Sequence, residues 1–196
     1  MLDNAEYQNL FVTLPENERR ALIENEITLC KAHPAYWLCR WGTIFEPRAG
    51  KRGGGIKPFI PAAKQVDLID WFLACLADEE TEKSDGILSK SRGVGASWVF
   101  VALAAWGWLF EDVWNVLLVS WKEEFVDSKS PKSLFWKLDR LMRGLPDWML
   151  PPGYDPFVKP SDYRQDRSLT HPQNENAITG ETTTTLVGAV ATVGTT

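Results

Sequence analysis

An α/β fold, a mostly parallel sheet flanked by helices, is predicted by three features of the sequence. The short apolar Gly86-Ile-Leu-Ser89, a glycine-containing turn and the apolar run Ser97 to Phe110 read as strand, turn and helix, the opening of a βαβ unit. Val113 to Ser120, VWNVLLVS, is apolar on both faces, as expected of a parallel strand covered by helices. Ala62, Val66, Ile69, Phe72, Leu73 and Leu76 recur at intervals of three and four, which makes residues 62–77 an amphipathic helix. The chain of 196 residues is 44% hydrophobic and holds ten Trp and nine Phe. That is enough large apolar surface for a core and too much for a disordered chain.

The remaining elements follow in order. Thr13-Leu-Pro-Glu16 reads as a helix start, with Thr13 as N-cap, Pro15 in the first turn and Glu16 closing a capping box. The helix runs to about Lys31 on a modest stripe of Ala21, Leu22, Ile23, Ile27 and Cys30, a docking helix with no chemistry in it. Pro34 ends that pattern. Ala35 to Phe45 is aromatic-rich, and Glu46 to Gly55, with its glycines and basic residues, reads as a joint. The acidic run after residue 77 is a surface loop. Beyond Ser120 a helical region spans about Lys122 to Met142, interrupted near Ser130-Pro131. Leu145 to Gly153 ends the regular part, and residues 154–176 are polar, turn-rich and expected to add little core. Ser168-Leu-Thr170 and Ala177-Ile-Thr179 read as a short hairpin.

Composition narrows the function. Lys plus Arg is 21 and Asp plus Glu is 26, a net charge of −5, so there is no global attraction to nucleic acid. Residues 31–64 carry Lys31, Arg40, Arg48, Lys51, Arg52, Lys57 and Lys64 against only Glu46. This is either a local basic surface or a solvated one whose charges balance elsewhere. Cys30, Cys39 and Cys75 have neither paired metal spacing nor an even count, which argues against a zinc site or disulfide scaffold and fits a reducing cytoplasm. No signal-like N-terminus and no apolar run near the roughly 20 residues of a membrane span is present.

Chemistry concentrates in Ser89-Lys-Ser-Arg-Gly-Val-Gly-Ala-Ser97. Glycines between a strand and a buried helix let backbone N–H groups converge on an anion at the positive end of the helix. Against G-x-x-x-x-G-K-[ST], Gly95 is the second glycine and Ser97 the magnesium-side hydroxyl, while Lys90 replaces the first glycine and Ala96 the lysine. The cation offsetting the triphosphate is then Arg92 or Lys90, of which arginine grips two phosphate oxygens through its planar fork. Upstream, Gln65 follows Lys57-Pro-Phe59-Ile60-Pro61 at a helix start. Its amide can pair with the N6/N7 edge of adenine and select ATP, or it is a surface glutamine after a proline turn.

The order HPAYWLCRW, GGIKPF with Gln65, KSRGVGASW, VLLVSWKEEFVD, LPDWMLPPG and ENAITGE resembles the large terminase subunits of tailed phages and prophages, over about residues 34–181. The resemblance implies a P-loop NTPase fold, with residues 1–56 a helical region and linker and 57–181 the first part of the ATPase domain. It implies ATP and Mg2+ as cofactors and Gln65 as the adenine reader. The phosphate loop becomes Lys90, Ser91, Arg92, Gly93, Val94, Gly95, Ala96 and Ser97, with Arg92 the catalytic cation and Ser97 the metal-side ligand. Ser120 and Lys122 fall at the family's second-strand motif. The family hydrolyses ATP to drive double-stranded DNA into a procapsid, as a ring docked on the portal protein and served by the small terminase subunit, in the host bacterial cytoplasm.

Departures from the family pattern matter as much. Family members continue to an apolar strand ending in Asp-Glu and to a nuclease domain, whereas residues 182–196 run into TTTTLVGAVATVGTT, which reads as a truncation or frameshift. The domain is therefore expected to be incomplete at the C-terminus, and the acids that hold magnesium and activate water have no candidate. Two other readings stay open: a noncatalytic remnant acting through protein contacts, and a helicase-like P-loop translocase.

Overall fold

A computed structural model describes residues 3–46, 55–77, 87–90 and 93–183. The chain opens with three helices, α1 (Asn4–Thr13), α2 (Glu16–Ala32) and α3 (Pro34–Trp41). The capping box forms one helix earlier than Thr13-Leu-Pro-Glu16 suggests. The Asp3 carboxylate accepts from the Glu6 N–H at 2.8 Å, and Glu6 accepts in return from the Asp3 N–H at 3.1 Å. Thr13 ends α1, its hydroxyl donating to the Asn9 carbonyl of the preceding turn, and α2 begins after Pro15 without a side-chain cap. Pro34 ends one helix and opens the next: it is the first residue of α3, where a missing N–H costs nothing. The aromatic stretch after it is thus a helix, burying Trp37, Leu38 and Trp41.

These three helices meet on one buried carboxylate. Glu26, 1% exposed, accepts from Tyr7 at 2.6 Å, Trp41 at 2.7 Å and Tyr36 at 3.1 Å, one donor from α1 and two from α3. Burial, then the neighbouring Glu26, pushes the Tyr7 phenol far up, so it stays a donor at any ordinary pH. A carboxyl group this deep is tolerable only because its oxygens are satisfied.

The expected joint is bracketed by a hairpin. Strands β1 (Thr43–Glu46) and β2 (Gly55–Pro58) pair antiparallel, Thr43 opposite Pro58 and Glu46 opposite Gly55; residues 47–54 lie outside the described residues. Helix α4 (Ala63–Ala77) occupies the predicted 62–77, and the acidic segment 78–86 is likewise outside. Helix α5 (Ala96–Phe110) is buried nearly all round, from Val99 through Trp108, which makes it the central helix. At Gly107 any Cβ would overlap the Trp114 indole, so glycine there admits the ring that starts the next strand.

The main sheet is β3 (Asn115–Ser120), β4 (Arg164–Gln165), β5 (Ser168–Thr170) and β6 (Ala177–Thr182), in the spatial order β3-β6-β5-β4. β3 and β6 are parallel, Asn115 opposite Ala177 and Ser120 opposite Thr182. The other two pairings are antiparallel, and one of them is the expected 168–170 hairpin. The sheet is therefore mixed rather than mostly parallel. Its coverage differs too. Val116, Leu118 and Ser120 share a face with Ile178, Gly180 and Thr182, and this face packs on α6 (Glu123–Val126) and α7 (Leu134–Met142) through Val126 and Phe135 at Gly180. On the opposite face Asn115, Val119, Thr170 and Thr179 are exposed. Antiparallel partners permit such a one-sided sheet.

The strand expected at Gly86–Ser89 does not form: residues 87–90 have no regular structure, and Ile87 is 96% exposed. Two apolar residues flanked by serine, lysine and glycine bury too little surface to offset the entropy of ordering a strand. The polar stretch 154–176 contributes more than expected. Leu169 is fully buried, and Arg164, 2% exposed, reaches Asp139 at 2.6 Å and Asp127 at 3.0 Å with its guanidinium 4.6 Å from the Phe135 ring centre.

Candidate phosphate-loop site

Helix α5 begins at Ala96 with Gly95 as its cap residue. Gly93 and Gly95 have φ of 85° and 75°, the left-handed region that side chains resist. A Cβ at Gly95 would also stand 2.8 Å from Gln65 Nε2, so a side chain there would displace the tip of the glutamine. Gln65, in the first turn of α4, donates from Nε2 to the Val94 carbonyl at 2.9 Å and accepts at Oε1 from the Ala62 N–H at 2.9 Å. The glutamine and the glycine turn, 29 positions apart, are thus brought together. The bond also occupies part of the amide expected to read adenine: one N–H and one lone pair remain for a ligand.

Of the remaining predicted residues, Lys90, Gly93, Val94 and Ser97 are exposed, and Ala96 is buried with its methyl inward. Ser91 and Arg92 lie outside the described residues. Ala96 cannot supply a cation, as anticipated. Among the described residues no group of three or more His, Cys, Asp or Glu could hold a metal ion.

The glycine turn separates two cavities. The first, about 650 Å³, lies between the turn, Gln65 and the β1–β2 hairpin with Phe59 and Ile60. The second, about 730 Å³, runs from the turn to the C-terminal end of β3 and the start of α7. Phe45, Lys90, Gly93, Ser97 and Trp98 line both, so one elongated ligand can lie across the turn. Their electrostatics differ. Glu46 and Lys57 pair at 3.5 Å on the wall of the first, whereas among the described residues the second is lined by Lys90, Lys132 and Lys137 and by no carboxylate. Ser120 and Ser97 both line this second cavity, but Lys122 does not: it pairs with Glu124 at 3.9 Å and lies 4.4 Å from the Trp121 ring centre.

Lys137 is the residue that motif reasoning missed. It is 7% exposed, and its ammonium donates to the carbonyls of Lys132 at 2.9 Å and Ser133 at 3.3 Å. Burial lowers its pKa to about 8. The available signal was its position: in LFWKLDRLM, residue 137 falls between Leu134 and Leu141 on the side that α7 buries, where an unpaired lysine is out of place.

No protein-family model matches the chain, and no curated protein matches it.

Proposed function

We propose that this chain is the ATP-binding portion of a viral DNA-packaging motor, the large terminase subunit, which couples ATP hydrolysis to movement of double-stranded DNA into a procapsid. The observation that carries the reading is the Gln65 to Val94 bond. It joins the adenine-type glutamine to a turn of two left-handed glycines at the N-terminus of the central helix. In this reading adenine lies in the cavity beside Gln65, Phe59 and Ile60, the phosphates cross the turn, and Ser97 shares magnesium with them. Arg92 neutralises the terminal phosphates. Hydrolysis, DNA translocation, the ring on the portal protein and the small terminase subunit come from the resemblance; the residues of the site support nucleotide binding.

Calorimetry with Mg-ATP tests this. The chain should bind ATP in a magnesium-dependent way, and Arg92→Ala should weaken binding about tenfold or more, the loss of a charge-assisted contact of roughly 1.5–3 kcal/mol. A folded sample that binds no ATP would end the nucleotide reading.

A second reading, a remnant acting through protein contacts alone, draws on β3. It is an edge strand of the described sheet, followed by Trp121 at 62% exposure, and open edges invite partners. Association that grows with concentration, with no nucleotide effect on melting, is the outcome that favours it.

A further inference from the structure

We propose that Lys137, on α7, supplies the phosphate-binding ammonium that the loop lacks at Ala96. This deepens the nucleotide reading and rests on it. Ala96 removes the usual cation from the loop, but the cavity on the far side of the glycine turn is walled, among the described residues, by three lysines and no carboxylate. Lys137 is the buried one. Among the described residues no acid lies within ion-pairing distance of it; its ammonium donates to two backbone carbonyls and lies 6.0 Å from the Trp98 ring centre. One of these, Ser133 O, already accepts the Lys137 backbone N–H at 3.3 Å, so the ammonium is not needed to satisfy it. An ammonium has three donors, and the third has no hydrogen-bond acceptor among the described residues, while Trp98, the indole beside it, lines the cavity. A buried cation without a counter-charge calls for an anion. The same cavity is lined by Ser97 and Gly93 at the positive end of α5, where backbone N–H groups and a hydroxyl can meet phosphate oxygens. Lys137 arrives from a different element than a P-loop lysine does, and it points a charge of the same sign at the same phosphates.

The test is calorimetric titration of the full chain with Mg-ATP and, separately, with inorganic tripolyphosphate, which has the charge and no base. Lys137→Gln keeps donors for the two carbonyls and removes the charge, while Lys129→Gln removes an exposed charge outside the cavity and controls for net charge. The inference expects Lys137→Gln to weaken both ligands by about tenfold or more, with Lys129→Gln equal to wild type. Equal tripolyphosphate affinity for wild type and Lys137→Gln overturns the inference, and so does a wild-type chain that binds no tripolyphosphate. Should wild type bind ATP while Lys137→Gln binds it equally well, the nucleotide reading survives without Lys137. Conversely, Lys137-dependent binding of tripolyphosphate with no extra affinity for ATP removes the nucleotide and keeps the anion site. If Lys137→Gln does not reproduce the wild-type far-UV spectrum, Lys137→Met, which matches the volume of the stem, decides in its place.

Discussion

A buried lysine works against the empty fold, and that cost can be measured. The Lys137 pKa falls from the ordinary 10.5 to about 8 because burial disfavours the ammonium. Between those values the unfolded chain binds more protons than the folded one, so stability rises with pH across that window and the full cost is present below pH 8. A tenfold change in proton affinity is worth about 1.4 kcal/mol, so the penalty at pH 7 is about 3 kcal/mol at most. Lys137→Met is therefore expected to stabilise the chain by about 1–3 kcal/mol at pH 7, less the two lost carbonyl bonds, with the gain shrinking towards pH 10. Urea titrations at pH 7 and pH 9.5 measure it. A destabilised Lys137→Met at pH 7 would mean that the ammonium is a structural cap. The residue was legible only in part: its place on the buried side of α7 could be read from LFWKLDRLM, but the absence of a nearby carboxylate is a property of β3, α5 and α7 together. Gln65 and the glycines were the converse case. A proline turn, a glutamine and a glycine pair were recognisable in the sequence, and folding joined them by one hydrogen bond.

At the scale of elements, what could be read depended on whether the signal was local. α4 and α5 declare themselves by apolar spacing and an unbroken apolar run, and they lie within a residue of the expected 62–77 and 97–110. The break at Ser130-Pro131 is real because Ser133 caps α7, accepting the Trp136 N–H at 3.2 Å. The strand expected at 86–89 failed because a strand needs neighbours, and no sequence window shows whether a sheet will offer them. Arg164 shows the same limit. Its stretch looks like solvated loop, yet the guanidinium closes on Asp127 and Asp139 and fastens β4 to α7 and to the end of α6. Burial alone would raise the Asp127 pKa, but the Arg167 N–H, Lys159 and Arg164 outweigh it and hold the carboxyl below its usual 3.8. Its contribution to stability is thus complete above pH 3.8 and is lost as pH falls through the depressed folded value. Arg164→Ala leaves a 3%-exposed Asp127 carboxylate without one of its three partners. It should cost about 3–5 kcal/mol at pH 7, read as a lower urea midpoint, and it should also flatten the acid limb of the stability profile. An unchanged midpoint would mean that Lys159, at 2.9 Å from Asp127, suffices alone.

At the scale of the molecule, the α/β class was readable and the sheet's plan was not. VWNVLLVS looks apolar on both faces, but helices cover one of them, the side of Trp114, Val116, Leu118 and Ser120, because β3 pairs with a sheet whose other members are antiparallel. The cavities accordingly open where α4, the glycine turn, the C-terminal end of β3 and the start of α7 converge, and a ligand there would touch four elements held together by few direct bonds. That makes binding visible in global stability. A ligand that binds only the folded chain adds RT ln(1 + [L]/Kd), about 2.7 kcal/mol at a hundredfold excess over Kd. In a chain of this length 1 kcal/mol moves the melting midpoint by about 2–4 °C. Mg-ATP at that excess should therefore raise the midpoint by about 5–10 °C, increasing with the logarithm of concentration. Differential scanning fluorimetry over three decades of Mg-ATP reads it, with EDTA reversing the shift, because Ser97 can share a metal with the phosphates but cannot replace it. A midpoint that ignores ATP and instead follows protein concentration would assign the stability to contacts between chains at the β3 edge, where the second reading puts it.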